Sequence, residues 1–310
     1  MSAENYEFLV SLLASCLRIS IPIAFAALGA IFCERAGIVN IGLEGMMLVG
    51  AFAGVLGSDL TGSAYVGLLF AIAAGGLFGL IHAVLTIQYK TDHIISGLGI
   101  NLLALGLTTV LLQLIWGNRG KSDEVAGLGT VTIPGLSDIP VVGQLFGTAS
   151  ILFYVLIVAV VLSWIVLYKT VFGLRLRVIG DNPQVADTLG VNVYRMQYTC
   201  VILCGMLAGI GGAYLSIGDI NLFGRDMVAG RGYIALAATI FGGWNPLGTY
   251  AGSLLFGLAQ GLQIRLQLLK VPVQFVEMLP YALTLLALIV FRKSSRAPLA
   301  AGKHFRRGEG

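Results

Sequence analysis

Only 11% of the 310 residues are charged, so any chemistry in this chain rests on a few side chains. The most promising group is Val39-Asn-Ile-Gly-Leu-Glu-Gly45, where Asn40 and Glu44 stand four residues apart in an apolar stretch. If that stretch is helical, their side chains share one face, one turn apart. An ionisable residue at membrane depth is costly, which makes Glu44 a candidate site by default. Asn40, Glu44 and the more distant Asn101 could hydrogen-bond the hydroxyls of a polar solute along a transport pathway. A competing reading makes Glu44 a structural carboxylate paired with Arg18 or Arg35. Arg18 itself is expected to pair with an acid or with backbone carbonyls, and Asn101 and Gln113 to bridge helices. His82 is expected to be a satisfied packing residue, and Glu277 to lie close enough to a boundary to reach water.

Other chemistries fail on spacing. Gly120-Lys121-Ser122 resembles the end of a phosphate-binding loop, but the required earlier glycine falls at Ile115. The segment also follows an apolar helix, not a strand. His82, His93 and His304 are too scattered in sequence for metal binding, and Cys16, Cys33, Cys200 and Cys204 have no ligand spacing with them. No serine–histidine–acid arrangement is present, so a membrane enzyme is disfavoured. The chain carries no motor of its own. Either transport is passive or another subunit supplies the energy.

The second informative stretch is polar and lies between two long apolar segments: Val178-Ile-Gly-Asp-Asn-Pro-Gln-Val-Ala-Asp-Thr-Leu-Gly-Val-Asn-Val-Tyr-Arg195. Asn182 can cap a helix whose first residue is Pro183, where a missing N–H costs nothing. Gly190 supplies the left-handed residue that ends it. Val185, Ala186 and Leu189 fall on one apolar side, and Asp187 is expected to face outward. Two turns of helix are not stable alone in water, so this one must rest on something. Docking to a soluble partner is one reading, and an ordinary loop between spans is the other.

The elements that must position these residues are membrane helices. The chain is 57% hydrophobic with a mean hydropathy of +0.90, and its charged fraction is under half of the roughly 25% usual in soluble domains. Apolar runs long enough to span, about 20 residues each, recur throughout, and the ten-residue alternation of a barrel is missing. Crossings are expected near 9–32, 38–56, 64–87, 94–116, 150–168, 196–217, 247–262 and 273–291. A short apolar piece at 232–241 reads as re-entrant or broken. The fold class is therefore an all-α polytopic membrane protein, one transmembrane domain of about 8–10 membrane helices over residues 1–310. Gly50/Gly54, Gly75/Gly79, Gly205/Gly209, Gly248/Gly252 and Gly257/Gly261 have the spacing for close backbone approach.

Basic residues assign the sides. With the basic tail (292–310) inside and nine crossings, the cytoplasmic segments hold twelve Lys and Arg, and the outer segments hold six. The segment 169–195 then faces the cytoplasm, and the Pro- and Gly-rich insert 117–147 faces outward.

These residues together resemble a family. Glu34-Arg-Ala-Gly-Ile-Val-Asn-Ile-Gly-Leu-Glu-Gly-Met-Met-Leu-Val-Gly-Ala-Phe52 resembles the early signature of ABC-importer permeases of the branched-chain amino acid and simple sugar type, most closely the nucleoside-transporting subgroup. Gly180-Asp-Asn-Pro-Gln-Val-Ala-Asp-Thr-Leu-Gly-Val-Asn192 is similar to their coupling segment. Arg231-Gly-Tyr-Ile-Ala-Leu-Ala-Ala-Thr-Ile-Phe-Gly-Gly-Trp-Asn-Pro-Leu-Gly248 is similar to their late glycine-rich signature.

The resemblance implies a type II importer transmembrane fold in a bacterial cytoplasmic membrane. It implies a second permease, usually a different one, a cytoplasmic ABC ATPase, and an extracytoplasmic binding protein or lipoprotein. ATP and Mg would sit on the ATPase, this chain would bind no cofactor, and no nucleic acid is involved. The coupling residues would be Asp181, Asn182, Pro183, Val185, Ala186, Asp187, Leu189 and Gly190. The insert and the loop 218–231 would meet the binding protein. Residue types leave open a nucleoside, a simple sugar or a branched-chain amino acid as solute, and an autonomous secondary transporter is the more distant rival.

Overall fold

Where the apolar runs are uninterrupted they form long helices, and where Gly, Asn and Pro cluster they break. The computed structural model describes residues 3–132, 134, 143–266, 278 and 297–307. The last expected crossing, with Glu277, and part of the basic tail lie outside the described residues. Ten helices are present among those described: α1 (Ala3–Arg35), α2 (Leu43–Thr61), α3 (Ala64–Ala83), α4 (His93–Trp116), α5 (Ile151–Lys169), α6 (Val171–Asp181), α7 (Pro183–Thr188), α8 (Val193–Ala213), α9 (Arg231–Phe241) and α10 (Pro246–Leu266). α3 and α8 continue as π-wound turns over Val84–Gln88 and Tyr214–Ile220. Among the described residues, six helical stretches are long and apolar enough to cross a bilayer.

Small residues decide the packing. α2 runs through the middle of the bundle and is buried over most of its length. A Cβ at Gly50 would stand 2.5 Å from the Cα of Gly209 in α8. α8 meets α1 where a Cβ on Gly29 would lie 2.8 Å from the Cys204 carbonyl oxygen, and α3 where Gly79 approaches that of Val201 at the same distance. α10 packs on the first half of α1, with Gly257 against the Cys16 carbonyl. α4 and α5 are peripheral, with only 22% and 33% of the residues in their most apolar stretches buried.

The insert after α4 is an extended strap. Ser122, Val125 and Leu128 donate N–H groups to the carbonyls of Phe223, Asn221 and Ile217 at 2.9, 2.8 and 2.8 Å, and Arg225 returns one to Gly120 at 2.8 Å. A short antiparallel pair, β1 (Thr130–Thr132) with β2 (Thr148–Ser150), closes it in the register Thr130 to Ser150.

At the opposite end, residues 297–307 pack across the bundle. Ala300 N donates to the Gly180 carbonyl at 2.8 Å and Gly302 N to that of Gly37 at 2.9 Å. Phe305 joins Ile179, Ala186 and Val193 in a small separate core.

Candidate functional site

Residues 36–42 enter the bundle without helical structure, so their backbone groups need other partners at a depth where water is scarce. Polar side chains from four places supply them. Gln197 Nε2 donates to the Ala36 carbonyl at 3.0 Å and Asn101 Nδ2 to that of Ile41 at 3.1 Å. His82 Nε2 lies 3.2 Å from the Val39 carbonyl, and the Val39 N–H points to His93 Nδ1 at 3.3 Å. A carbonyl can only accept, so His82 carries its proton on Nε2, and its Nδ1 accepts from Ser96 Oγ at 2.9 Å. The packing role expected for His82 is what the geometry shows.

Asn40 belongs to this break. Its Oδ1 accepts the Gly42 N–H at 3.0 Å, and its Nδ2 lies 3.3 and 3.4 Å from the sulfurs of Met46 and Cys204. It is fully buried. The expected shared helical face with Glu44 does not exist, because α2 starts only at Leu43. Helix propensity lost here to the backbone turn that Asn40 closes with its own side chain.

Glu44 instead grips another element. Its Oε1 and Oε2 accept the N–H groups of Gly230 and Gly232 at 2.7 Å each. These are the unsatisfied donors at the N-terminus of α9, where a carboxylate is favoured by both hydrogen bonding and the helix dipole. The expected pairing with Arg18 or Arg35 is therefore overturned. Gly232 must be glycine, since a Cβ there would lie 2.5 Å from the Glu44 nitrogen. Asn101 completes the group: its Oδ1 accepts from Gly45 N at 2.8 Å and its Nδ2 donates to Tyr233 Oη at 2.9 Å. It bridges helices as anticipated.

The depth of this cluster follows from helix rise. Asn101 is eight residues from the start of α4, or about 12 Å along its axis. With 11 residues, α9 is about 16 Å long, half of a bilayer core of about 30 Å. It is a half-helix beginning at mid-depth, consistent with the short apolar piece read from sequence. Its far end is locked to the end of α1: Trp244 Nε1 donates to Glu34, and Arg35 Nη2 to the Trp244 carbonyl at 3.2 Å. In the sequence Glu34 and Arg35 fall between two expected crossings, and nothing near them points to this lock, which joins residues some 210 apart. Arg18 is also corrected: it is exposed and has no hydrogen bond or ion pair among the described residues.

The second candidate is the segment after α6. α7 has the predicted signals: Asn182 Oδ1 accepts the Val185 N–H at 3.2 Å, Pro183 is the first helical residue, and Gly190 has φ +80°. Asp181 and Asn182 are exposed. The single apolar side does not hold. Ala186 is fully buried beneath α7 against Phe305 and Val193, whereas Val185 and Leu189 are 46% and 72% exposed on its outer surface. Asp187 does not point freely outward either, since it pairs with Arg307 at 3.3 Å. The tail residues that bury Ala186 lie more than 110 positions away, beyond the reach of helical periodicity.

The family model described as "Branched-chain amino acid transport system / permease component" matches residues 12–288. The guanosine ABC transporter permease protein NupQ of Bacillus subtilis is 43% identical over 93% of this chain and 94% of its own. The nucleoside ABC transporter permease protein NupC of Lactococcus lactis is 41% identical over 95% and 96%. A protein named as a glucose ABC transporter permease, TsgC13 of Haloferax volcanii, is 36% identical over 85% and 80%. The first two bacteria each contribute a second, more distant permease match.

Proposed function

The chain belongs to the branched-chain amino acid transport permease family, and from that premise we propose that it is one membrane half of an ATP-driven importer of nucleosides. The carrying observation is α7, a capped helix that presents two apolar side chains to solvent while its other side is anchored in the protein. A surface of that kind fits a cleft on a soluble ATPase, and this chain has no phosphate loop to hold nucleotide itself. Two nucleoside permeases above 40% identity favour the nucleoside over the sugar. Paired permeases in the same organisms favour a heterodimer.

In this reading α7 and residues 297–307 face the cytoplasm, which the two-to-one bias of basic residues supports. The strap 120–128 and the loop 217–225, bonded into one surface, meet the extracytoplasmic binding protein. Asp181, Asn182, Pro183 and Gly190 fix the shape of the coupling helix, and Val185 and Leu189 make the contact. Ala186 and Asp187 tie it to the permease. Asn40, Glu44 and Asn101 hold the break and the half-helix beside the solute path. ATP and Mg stay on the partner, whose closure moves α7 and switches the bundle between two packings.

Reconstitution tests this. The permease pair with its ATPase and binding protein should accumulate labelled guanosine in proteoliposomes in an ATP-dependent way. Unlabelled nucleosides should compete, and ribose, glucose and leucine should not. Accumulation by this chain alone against a gradient would overturn the proposal.

A further inference from the structure

Two adjoining cavities lie along α1 and the π-wound end of α8: one of about 440 Å³ closed by α10, and one of about 310 Å³ closed by the β1–β2 pair and the start of α5. Both are of the size that holds small ligands. They share Arg18, Tyr214 and Asp219; Arg231 lines the first and Ser150 the second.

The lining is not what a lipid-facing bundle tolerates. Arg18 is eight residues beyond Val10, where the first apolar run begins, or about 12 Å along the helix. Neither it nor Asp219 has a hydrogen bond or ion pair among the described residues, and both are exposed to the cavities. The ion pair that the described residues do form, Asp187 with Arg307, is at the other end of the molecule. Arg231 gives Nη1 to the carbonyls of Met227 and Val228 at 3.1 and 3.0 Å, yet its buried Nε has no partner, and neither does Ser150 Oγ. Buried polar groups without protein partners call for a polar occupant.

The walls carry the same message independently. Tyr214–Ile220 is π-wound, and residues 221–230 descend irregularly to the start of half-helix α9. Irregular backbone at this depth is tolerated where it lines a cavity, π turns concentrate at functional sites, and interrupted helices build solute sites in transporters.

We propose that the joined cavities are the solute chamber of the permease, taking a nucleoside in two parts, sugar in one and base in the other. The proposal rests on the import reading above. Asp219 is acceptor-only, and its two oxygens match the two hydroxyls of a ribose diol. Arg18, donor-only and at the junction, matches the carbonyl and ring-nitrogen acceptors of a base. Arg231 Nε and Ser150 Oγ are further donors on either side. A branched-chain amino acid would also answer a mixed-charge lining, but it would occupy only one of the two spaces.

The test uses the assembled importer. Arg18→Gln and Asp219→Asn should each raise the KM for guanosine uptake about tenfold or more, the loss of one charge-assisted hydrogen bond. Co-purification of the ATPase and the melting temperature of the complex should not change. In parallel, Ser15→Cys places a thiol in the first cavity, against native cysteines that are all buried. An impermeant thiosulfonate should label it from outside, and guanosine should slow the labelling where leucine does not. This arm keeps the proposal open to refutation if a charge variant fails to assemble. Unchanged KM in both variants, or labelling indifferent to guanosine, would overturn the chamber. Protection by leucine instead would overturn the nucleoside assignment. Failure of the wild-type complex to take up guanosine would count against the proposed function and leave the accessibility of Ser15→Cys as a separate result.

Discussion

Replacing Gly50 and, separately, Gly54 by alanine probes the bundle at two positions one turn apart on α2. The two glycines form one small-residue motif in the sequence, but their surroundings differ. At Gly50 an added Cβ would lie 2.5 Å from the Gly209 Cα and 2.6 Å from its carbonyl oxygen, both backbone atoms that cannot rotate away. Ordinary contact starts near 3.4 Å, so α2 and α8 would have to part by about 1 Å. A gap of that size forfeits a quarter to a half of each dispersion contact along the seam. Overpacking costs about 1–3 kcal/mol, and a rigid backbone partner puts Gly50→Ala at the upper end, roughly 3 kcal/mol. At Gly54 the nearest atoms are side chains of Ala213, Ile217 and Ser216, all at 3.6 Å. There the gain in helix propensity, about 1 kcal/mol, offsets any adjustment. Thermal unfolding of the purified complex, followed by size-exclusion fluorescence, should show Gly50→Ala melting roughly 6 °C or more below wild type, with Gly54→Ala within a degree or two. Equal melting temperatures would refute the packing argument.

Three further outcomes follow. Leu189→Asp should abolish ATPase co-purification while the permease keeps its melting temperature, whereas Ala186→Glu should lower that temperature as well, because only Leu189 is exposed; matching behaviour of the two would sink the assignment of faces. Glu44→Gln, which replaces one acceptor by a donor opposite an N–H, should cost about 2 kcal/mol of stability with little change in KM; a raised KM at unchanged stability would make Glu44 a solute contact instead. Asp92 caps α4 by accepting the N–H groups of Ile95 and Ile94 at 3.0 and 2.9 Å, which hold its carboxyl below the ordinary range. A depressed folded value means that the cap acts fully above the ordinary carboxylate pKa of about 3.9 and is lost as pH falls below it. Amide protection factors in the first turn of α4, which correct for the slower intrinsic exchange in acid, should fall on acidification in that window, and Asp92→Asn should remove the dependence.

Features set by adjacent residues were legible in the sequence. α7 is one: its cap, its proline and its terminal glycine lie within nine positions and need no distant partner. The short length of α9 was legible for the same reason. What holds α9 was not, since Glu44 and Gly230 are 186 positions apart and neither flank hints at the other. Periodicity also misled at Asn40. The run of apolar residues around it reads as helix, but its amide satisfies Gly42 and stabilises the turn that delays α2. The histidines show the same limit. Scattered in sequence, His82 and His93 both reach the backbone of Val39, and the His304 ring sits 4.9 Å from that of His93.

A polar side chain inside an apolar run has two physical justifications, and sequence alone cannot separate them. It can complete backbone groups that a broken helix leaves open, or it can meet something that passes through. Glu44 and Asn101 looked like the second kind and prove to have every heavy polar atom engaged by protein. Arg18 looked like the first kind and has no such partner among the described residues. What discriminates is the account of partners, which only the fold supplies. By that account the polar residues around the break at 36–42 serve as scaffold, and those around the π-wound end of α8 remain available. The distinction predicts opposite phenotypes for two acids of the same membrane protein. Glu44→Gln should weaken the fold and leave KM almost unchanged, and Asp219→Asn should raise KM in a complex that melts normally. If both variants lowered stability and left KM alone, the division between scaffold and path would fail, because a carboxylate without protein partners would then have been holding the fold.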